Sequence, residues 1–459
     1  MYLLLLGGFH FDWKPLHLFN NSLKMKFSLS TILAFFLLVS SYLTSCNPKE
    51  GKQEALNEEE DLAPRHLRVI WTEDPSTYAV ISWTTLHEHG KNHRVYYDTV
   101  RRGGDNLNYS FQVLASKNGA ISMVEEDFRE GVPQGYYHHA DLRNLKPSTV
   151  YYFVVESDNL VSDEFYFISG PEDDRVFSLL WGGDSRMGGP EPRYAGRTPH
   201  IDRQGMNKRI KSLMDEDPNI LGFIHGADYG TTADWRHLFW WFEDHQIVIG
   251  EGNRLLPLII SRGNHDMQIG FEENFWLGDT QRERGFDYYF TTQVGSETAI
   301  LTLNTEISVA GDQRDWLEEN LASKRKDNRW LLVNYHRPAY PVVKDFENAT
   351  FKRVRDTWVP YFEKHNVDLA LESDGHILKR TVPIRNNKYD ETGIVYIGEG
   401  GLGVPQRVAD STRWFIQPPG FAMSAHNVHK LTFSEDRISI KAFGMGGEIL
   451  DQFEVKPRK

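Results

Sequence analysis

Along residues 66–170, apolar and polar positions alternate in short runs. LRVIWT, YAVISWTT, HRVYYDT, FQVLAS, YYHHADL, TVYYFVVES and EFYFIS are rich in Val, Tyr, Phe and Thr, with polar or turn-forming segments between them. Runs of this length and composition predict strands. Seven of them in about 100 residues predict a small β-sandwich. His138 and His139 are adjacent in one run, so a strand there turns them to opposite faces and they cannot share a metal.

From Val176 the pattern changes. Strand candidates now alternate with longer helical stretches. FSLLWGGD, ILGFIHGAD, LLPLIISRGNHD, AILTLNTE, RWLLVNYH, VDLALESDGH and IVYIGEG carry the strand ends. IDRQGMNKRIKSLMDED, TADWRHLFWWFEDH, RDWLEENLASKR and VRDTWVPYFEKH read as helices. In the last, Val354, Trp358 and Phe362 recur every fourth residue and form one apolar face. Alternation of this kind predicts a layered α/β domain over 175–456, with helices flanking sheets. The tail from Asn427 returns to strands and is expected to close a sheet edge.

The chain has 459 residues, 40% of them hydrophobic, which supports two domains. Its formal net charge of -13 argues against general nucleic-acid binding. Cys46 is the single cysteine, so an internal disulfide framework and a cysteine-based metal cluster are both excluded. Metal ligands must come from His, Asp, Glu, Asn or Tyr.

Such residues gather where apolar runs stop. Asp184 follows FSLLWGG, and Asp228 follows ILGFIHGA. Asn264, His265 and Asp266 follow LLPLIISRG, His336 follows WLLVNY, and Asp374 and His376 follow VDLALES. One such residue alone would be a helix cap or a structural imidazole. Five such strand ends point to a shared site, because open α/β sheets bind ligands at the C-terminal ends of their strands. Carboxylates, imidazoles and an Asn oxygen suit divalent cations, and two cations can activate water and clamp an oxyanion. No G-x-x-x-x-G-K-[ST] loop occurs, so hydrolysis is expected without a nucleotide.

The order GGD, GAD, GNHD, NYH and SDGH resembles the calcineurin-like metallophosphoesterases. A β-sandwich ahead of that domain resembles the purple acid phosphatases and their bacterial relatives, with a fibronectin-type N-terminal module. The resemblance implies a phosphoesterase that hydrolyses phosphate esters with a dinuclear centre of divalent or mixed-valence ions. It implies that Asp184 binds the first metal, Asp228 bridges both, and Asn264 and His336 bind the second. His265 would face the substrate, and Asp266 would orient His265 by accepting its other N–H.

LESDGHILKR departs from the family's paired histidines. Without a gap, Ser373 stands at the family's Gly, Asp374 at its first His and His376 at its second. Asp374 then serves the second metal and His376 the first. Setting Gly375-His376 against the Gly-His instead would require an insertion and put Leu378 at the second His. A carboxylate at Asp374 favours harder ions such as Mn²⁺ or Fe²⁺, with Zn²⁺ tolerated. Thr231 stands where purple acid phosphatases carry a metal-binding Tyr, and Arg186 stands where other phosphoesterases carry a His. Arg186 is a candidate for gripping an anionic substrate. Arg193, Arg197 and Arg203, and the aromatics of HLFWWFEDH and TRWFIQPPGF, are candidates for the pocket border.

Two other functions keep a place beside the phosphoesterase. One is hydrolysis of a related oxyanion ester such as a sulfate ester. The other is a binding lipoprotein with a degenerate metal site. The lipoprotein element comes from residues 1–46. Lys24 and Lys26 precede an apolar run that ends in small residues and Cys46, the pattern of a secretory signal. Leu43 to Cys46 resemble the lipobox of bacterial lipoproteins, which implies lipid attachment at Cys46 and an exported protein at the outer membrane or periplasmic face. Residues 47–65 are polar and acidic and read as a flexible tether.

Overall fold

A computed structural model describes residues 63–86, 91–186, 200–267, 269–278 and 287–458. All of these lie in the compact unit Glu59–Lys459. The leader, Cys46, most of the tether, Arg193 and Arg197 lie outside the described residues.

The architecture is a β-rich N-terminal domain followed by an α/β domain. The two share a sheet. From one edge it runs Ile449–Val455, Ile438–Phe443, Val428–Phe433, Phe177–Gly182, Ile220–His225 and Leu258–Ile259, and continues into Arg65–Ile70, Tyr78–Thr85, Tyr136–Arg143 and Lys117–Ala120. The seam is parallel pairing of Ile70 with Leu258, closed by the Trp71 N–H donating to the Leu258 carbonyl at 2.8 Å. A second sheet holds Thr298–Thr302, Trp330–Tyr335, Leu369–Glu372 and Val395–Gly398 in parallel, with antiparallel strands outside them.

Tyr78–Thr85 is buried at every residue because it has neighbours on both faces. On one face Trp83 donates to Ser157 Oγ at 2.9 Å, joining it to the other sandwich sheet of Phe111–Leu114, His93–Asp98, Val150–Ser157, Leu160–Val161 and Phe165–Ile168. On the other face Ser82 meets His139, whose Nε2 reaches the Glu273 carbonyl at 3.0 Å in the α/β domain. His138 turns the opposite way and stacks on His93 and Trp83. The sandwich also contains Lys117–Ala120, Leu160–Val161 and a short helix, Glu125–Arg129, absent from the sequence expectation. KNGA has no apolar alternation and forms because Tyr136–Arg143 offers it an edge.

Helices form at His200–Glu216, Trp235–His245, Asp312–Asp327 and Ala349–Lys364. Val354, Trp358 and Phe362 of the last are fully buried in the core beside the second sheet. The tail supplies three strands at the outer edge of the shared sheet, as its pattern predicts.

His66 and His429 are among the imidazoles buried in this framework. Burial pushes His66 down to about 4, against the opposing pull of Glu243, and also pushes His429 down to about 4. The unfolded chain titrates near 6.5, so as pH falls from 6.5 toward 4 protons bind the unfolded state first. The stability each neutral imidazole contributes is present above pH 6.5 and lost on that descent, on the order of 1–2 kcal/mol each by pH 5. A double variant, His66→Gln with His429→Gln, should therefore lose less Tm between pH 7 and pH 5 than the parent. Equal losses in thermal scans would contradict the assignment.

Candidate metal centre

The two sheets present the C-terminal ends of their parallel strands to the same place. Trp181 on one donates to Asn334 Oδ1 on the other at 3.1 Å, which ties them just beneath the site. Glycines allow the final approach. A side chain on Gly226 would overlap Ser373, and one on Gly263 would overlap the Asp228 carboxylate and the His336 ring.

Beyond the strands the backbone turns sharply. Asp184, Asp228, Asp374 and His376 all adopt left-handed conformations, with φ of 56°, 57°, 70° and 60°. Such a residue costs roughly 1–2 kcal/mol, and Asp tolerates it better than most. The turns aim the side chains back across the sheet ends. The Asp374 N–H donates to Asp184 Oδ2 at 2.9 Å, locking two of these turns together.

Asp184, Asp228 and His336 are buried, and each offers one ligand atom with all three atoms within 4.8 Å of one another. His336 Nδ1 faces the Gly226 carbonyl at 3.0 Å. A carbonyl only accepts, so Nδ1 carries the proton and Nε2 points into the cluster. There Nε2 lies 3.2 Å from Asp228 Oδ1 and 3.2 Å from Asn264 Oδ1. His376 Nε2 lies 3.4 Å from Asp184 Oδ1.

Electrostatics mark this point as one that demands positive charge. Burial alone would raise the Asp228 carboxyl, but His336, His265 and Arg186 hold it well below the ordinary range. Burial alone would lower His336, but Asp228, Asp184 and Asp374 hold it well above. Asp184 Oδ1 and Asp228 Oδ2 are buried and accept no hydrogen bond. Carboxylate oxygens, a directed imidazole nitrogen and a nearby amide oxygen make a donor set that fits a divalent cation.

Arg186 crosses the mouth of the cluster. Its Nη1 lies 2.8 Å from His265 Nε2 and its Nη2 lies 3.2 Å from His376 Nε2. Burial lowers both imidazoles, and as neutral rings they accept these bonds. Arg186 Nε lies 3.9 Å from Asp228 Oδ2.

Asp266 does something other than orient His265. The His265 Nδ1–H goes to the Thr231 carbonyl at 2.6 Å. The Asp266 carboxylate instead accepts the N–H groups of Asp228, Tyr229 and Gly263 at 2.8, 3.1 and 3.0 Å. Adjacency in GNHD suggests the wrong partner because the turn, closed by the Asp266 N–H on the Gly263 carbonyl, folds the carboxylate toward the Asp228 loop. Arg203 also departs from expectation: it is buried, with its guanidinium over the Trp241 ring at 4.5 Å. Trp241 is buried and donates to Ser185 Oγ, whereas its neighbour Trp240 is partly exposed.

Three residues near the site escaped the sequence reading. Lys344 Nζ binds Asp374 Oδ1 at 2.5 Å. Arg337 Nη1 lies 3.9 Å from Asp374 Oδ2, and Arg407 donates to the Asp374 carbonyl at 3.3 Å. Asp374 Oδ1 is 3.9 Å from His336 Nε2, so Asp374 adjoins the three-residue cluster.

The class of fold is clear from comparison. Residues 64–169 match the family described as "Purple acid Phosphatase, N-terminal domain", and residues 200–379 match "Calcineurin-like phosphoesterase". The chain has a calcineurin-like metallophosphoesterase fold related to that of purple acid phosphatases. Among solved structures it is similar to the purple acid phosphatase PPD1 from yellow lupin seeds, with a TM-score of 0.69 at 17% identity over 86% of this chain and 74% of that one. It is also similar to PhoD, with a TM-score of 0.59 at 11% identity over 85% and 92% of the two chains. Purple acid phosphatase 21 of Arabidopsis thaliana is 24% identical over 73% of this chain and 69% of its own. An uncharacterized protein of Mycobacterium tuberculosis is 24% identical over 70% of this chain, and the match spans 62% of that relative's length.

The Asp266 geometry predicts a structural phenotype. Asp266→Asn would replace one accepting oxygen by an amide that faces backbone donors. The variant should lose roughly 1–3 kcal/mol of stability and weaken metal binding. Urea denaturation and metal titration check this; an unchanged midpoint would refute the loop-tying role.

Proposed function

We propose that the protein is a metal-dependent phosphoesterase. The observation that carries the reading is the buried cluster of Asp184, Asp228 and His336 at the ends of strands from two sheets. A cation held there would polarise an ester oxygen and lower the pKa of water for attack. The family matches and the likeness to purple acid phosphatases support phosphate as the ester's acid.

The chain's own groups divide the remaining work. Arg186 presents a fork of donors at the mouth and suits an oxyanion. His265 sits beside it, with its side chain 29% exposed and Nε2 3.9 Å from Asp228 Oδ2. The Thr231 carbonyl fixes its ring, so Nε2 is placed to exchange a proton with a leaving oxygen.

The test is turnover of an aryl phosphate and the matching aryl sulfate, before and after chelation and metal return. Activity on the phosphate should vanish with chelation and return with Mn²⁺, Fe²⁺ or Zn²⁺. His265→Ala should lower kcat by roughly 10²–10³-fold. Activity indifferent to chelation would sink the proposal, and turnover of the sulfate alone would move it to sulfate esters.

We also propose that the chain is exported and lipid-anchored through Cys46, on the strength of the apolar run and LTSC. Mass spectrometry of the mature amino terminus should find a lipid on Cys46. A soluble mature chain starting elsewhere would rule it out.

A further inference from the structure

The site expected for a second metal carries a cation of the chain's own. A second ion would need Asp374 together with Asn264 and His336. Asp374 Oδ1, the oxygen that approaches His336, already binds the Lys344 ammonium at 2.5 Å. An ammonium and a divalent ion on one carboxylate oxygen repel each other at contact distance.

Lys344 is held in place. The Val342 N–H donates to Glu399 Oε1 at 2.9 Å, and the Asp410 N–H donates to the Val342 carbonyl at 2.7 Å. Arg413 Nη2 donates to the carbonyl of Lys344 itself at 3.0 Å. The segment is therefore fixed two residues before the lysine and at the lysine's own carbonyl, and the side chain is 29% exposed.

The charges agree. Asp184, Asp228 and Asp374 are three buried carboxylates. One divalent ion and one ammonium already carry three positive charges against these three negative ones, and Arg186 adds a fourth beside Asp228. Arg337, a further cation near Asp374, is already matched by Glu306 at 2.7 and 3.1 Å. A second divalent ion would leave a buried excess of positive charge beside Lys344 and Arg186.

We propose that Lys344, paired with Asp374, takes the place of a second metal ion. The centre then holds one divalent cation on Asp184, Asp228 and His336, and the lysine ammonium supplies the second positive charge against an oxyanion. This rests on the metal-dependent reading above, but metal counting separates the two.

The experiment is equilibrium dialysis of the full chain against Mn²⁺ with elemental analysis, paired with electron paramagnetic resonance of the loaded protein. The parent should bind one tight equivalent and give the hyperfine signal of an isolated Mn²⁺. Lys344→Met frees Asp374 Oδ1 of the ammonium and should admit a second tight equivalent, with the broadened signal of a coupled pair. If that variant fails to fold, Lys344→Gln serves the same purpose. Two tight equivalents in the parent would overturn the lysine's role. So would a folded Lys344 variant that still binds one. A parent that binds none would overturn the metal-dependent reading itself.

Discussion

Three carboxylates buried at one point cannot all keep their charge unless positive charge stands beside them. Asp184, Asp228 and Asp374 impose that condition, and much of the surrounding structure answers it. His336 is driven toward its protonated form, Arg186 reaches His265 and His376, and Lys344 and Arg337 approach Asp374. A divalent cation answers the same need more completely, because it can contact several oxygens at once. Affinity for metal is in this sense a consequence of packing three strand ends together with acidic residues at their tips.

The shared sheet explains how those tips are held. Leu258–Ile259 is only two residues long, yet it leads directly into Asn264, His265 and Asp266. On one side it pairs with Ile220–His225 and on the other with Arg65–Ile70 from the sandwich. Without the sandwich, this short strand would be an unpaired edge. Arg68 reinforces the join by donating to the Asn274 carbonyl at 3.0 and 2.7 Å. The N-terminal domain is therefore part of the scaffold of the metal centre as well as a module preceding it.

How far the sequence discloses this depends on the range of the interaction. Asp184, Asp228, His336, Asp374 and His376 were visible because each ends an apolar run, and strand ends are local features. The alternation that predicts the sandwich is local too. The Lys344–Asp374 pair is not: thirty residues separate the two, and Lys344 lies in the irregular segment after NYHRPAY. The seam between Ile70 and Leu258 was equally hidden, since nothing in either strand names its partner. Asp266 shows a third kind of failure. GNHD marks the residue, but adjacency to His265 does not say which way a four-residue turn aims its carboxylate.

Behind the site lies a second buried charge network with a different purpose. Lys379 Nζ binds Glu372 at 2.5 Å, Glu399 at 2.8 Å and the Tyr340 carbonyl at 2.9 Å. Glu372 also accepts from the Tyr335 hydroxyl at 2.6 Å and the Ala339 N–H at 2.7 Å. Burial pushes the Glu399 carboxyl up to about 7 even beside Lys379. Such networks contribute little net stability compared with apolar packing, so their value must lie in geometry. Here the geometry is specific. Tyr335 precedes His336, the Val342 N–H bound by Glu399 precedes Lys344, and the Glu399 carbonyl accepts the His376 N–H at 2.7 Å. One buried lysine thus sets the register of three segments that deliver an imidazole, an ammonium and a second imidazole to the centre. An apolar core could fill the same volume, but it would supply no directed bonds between these segments.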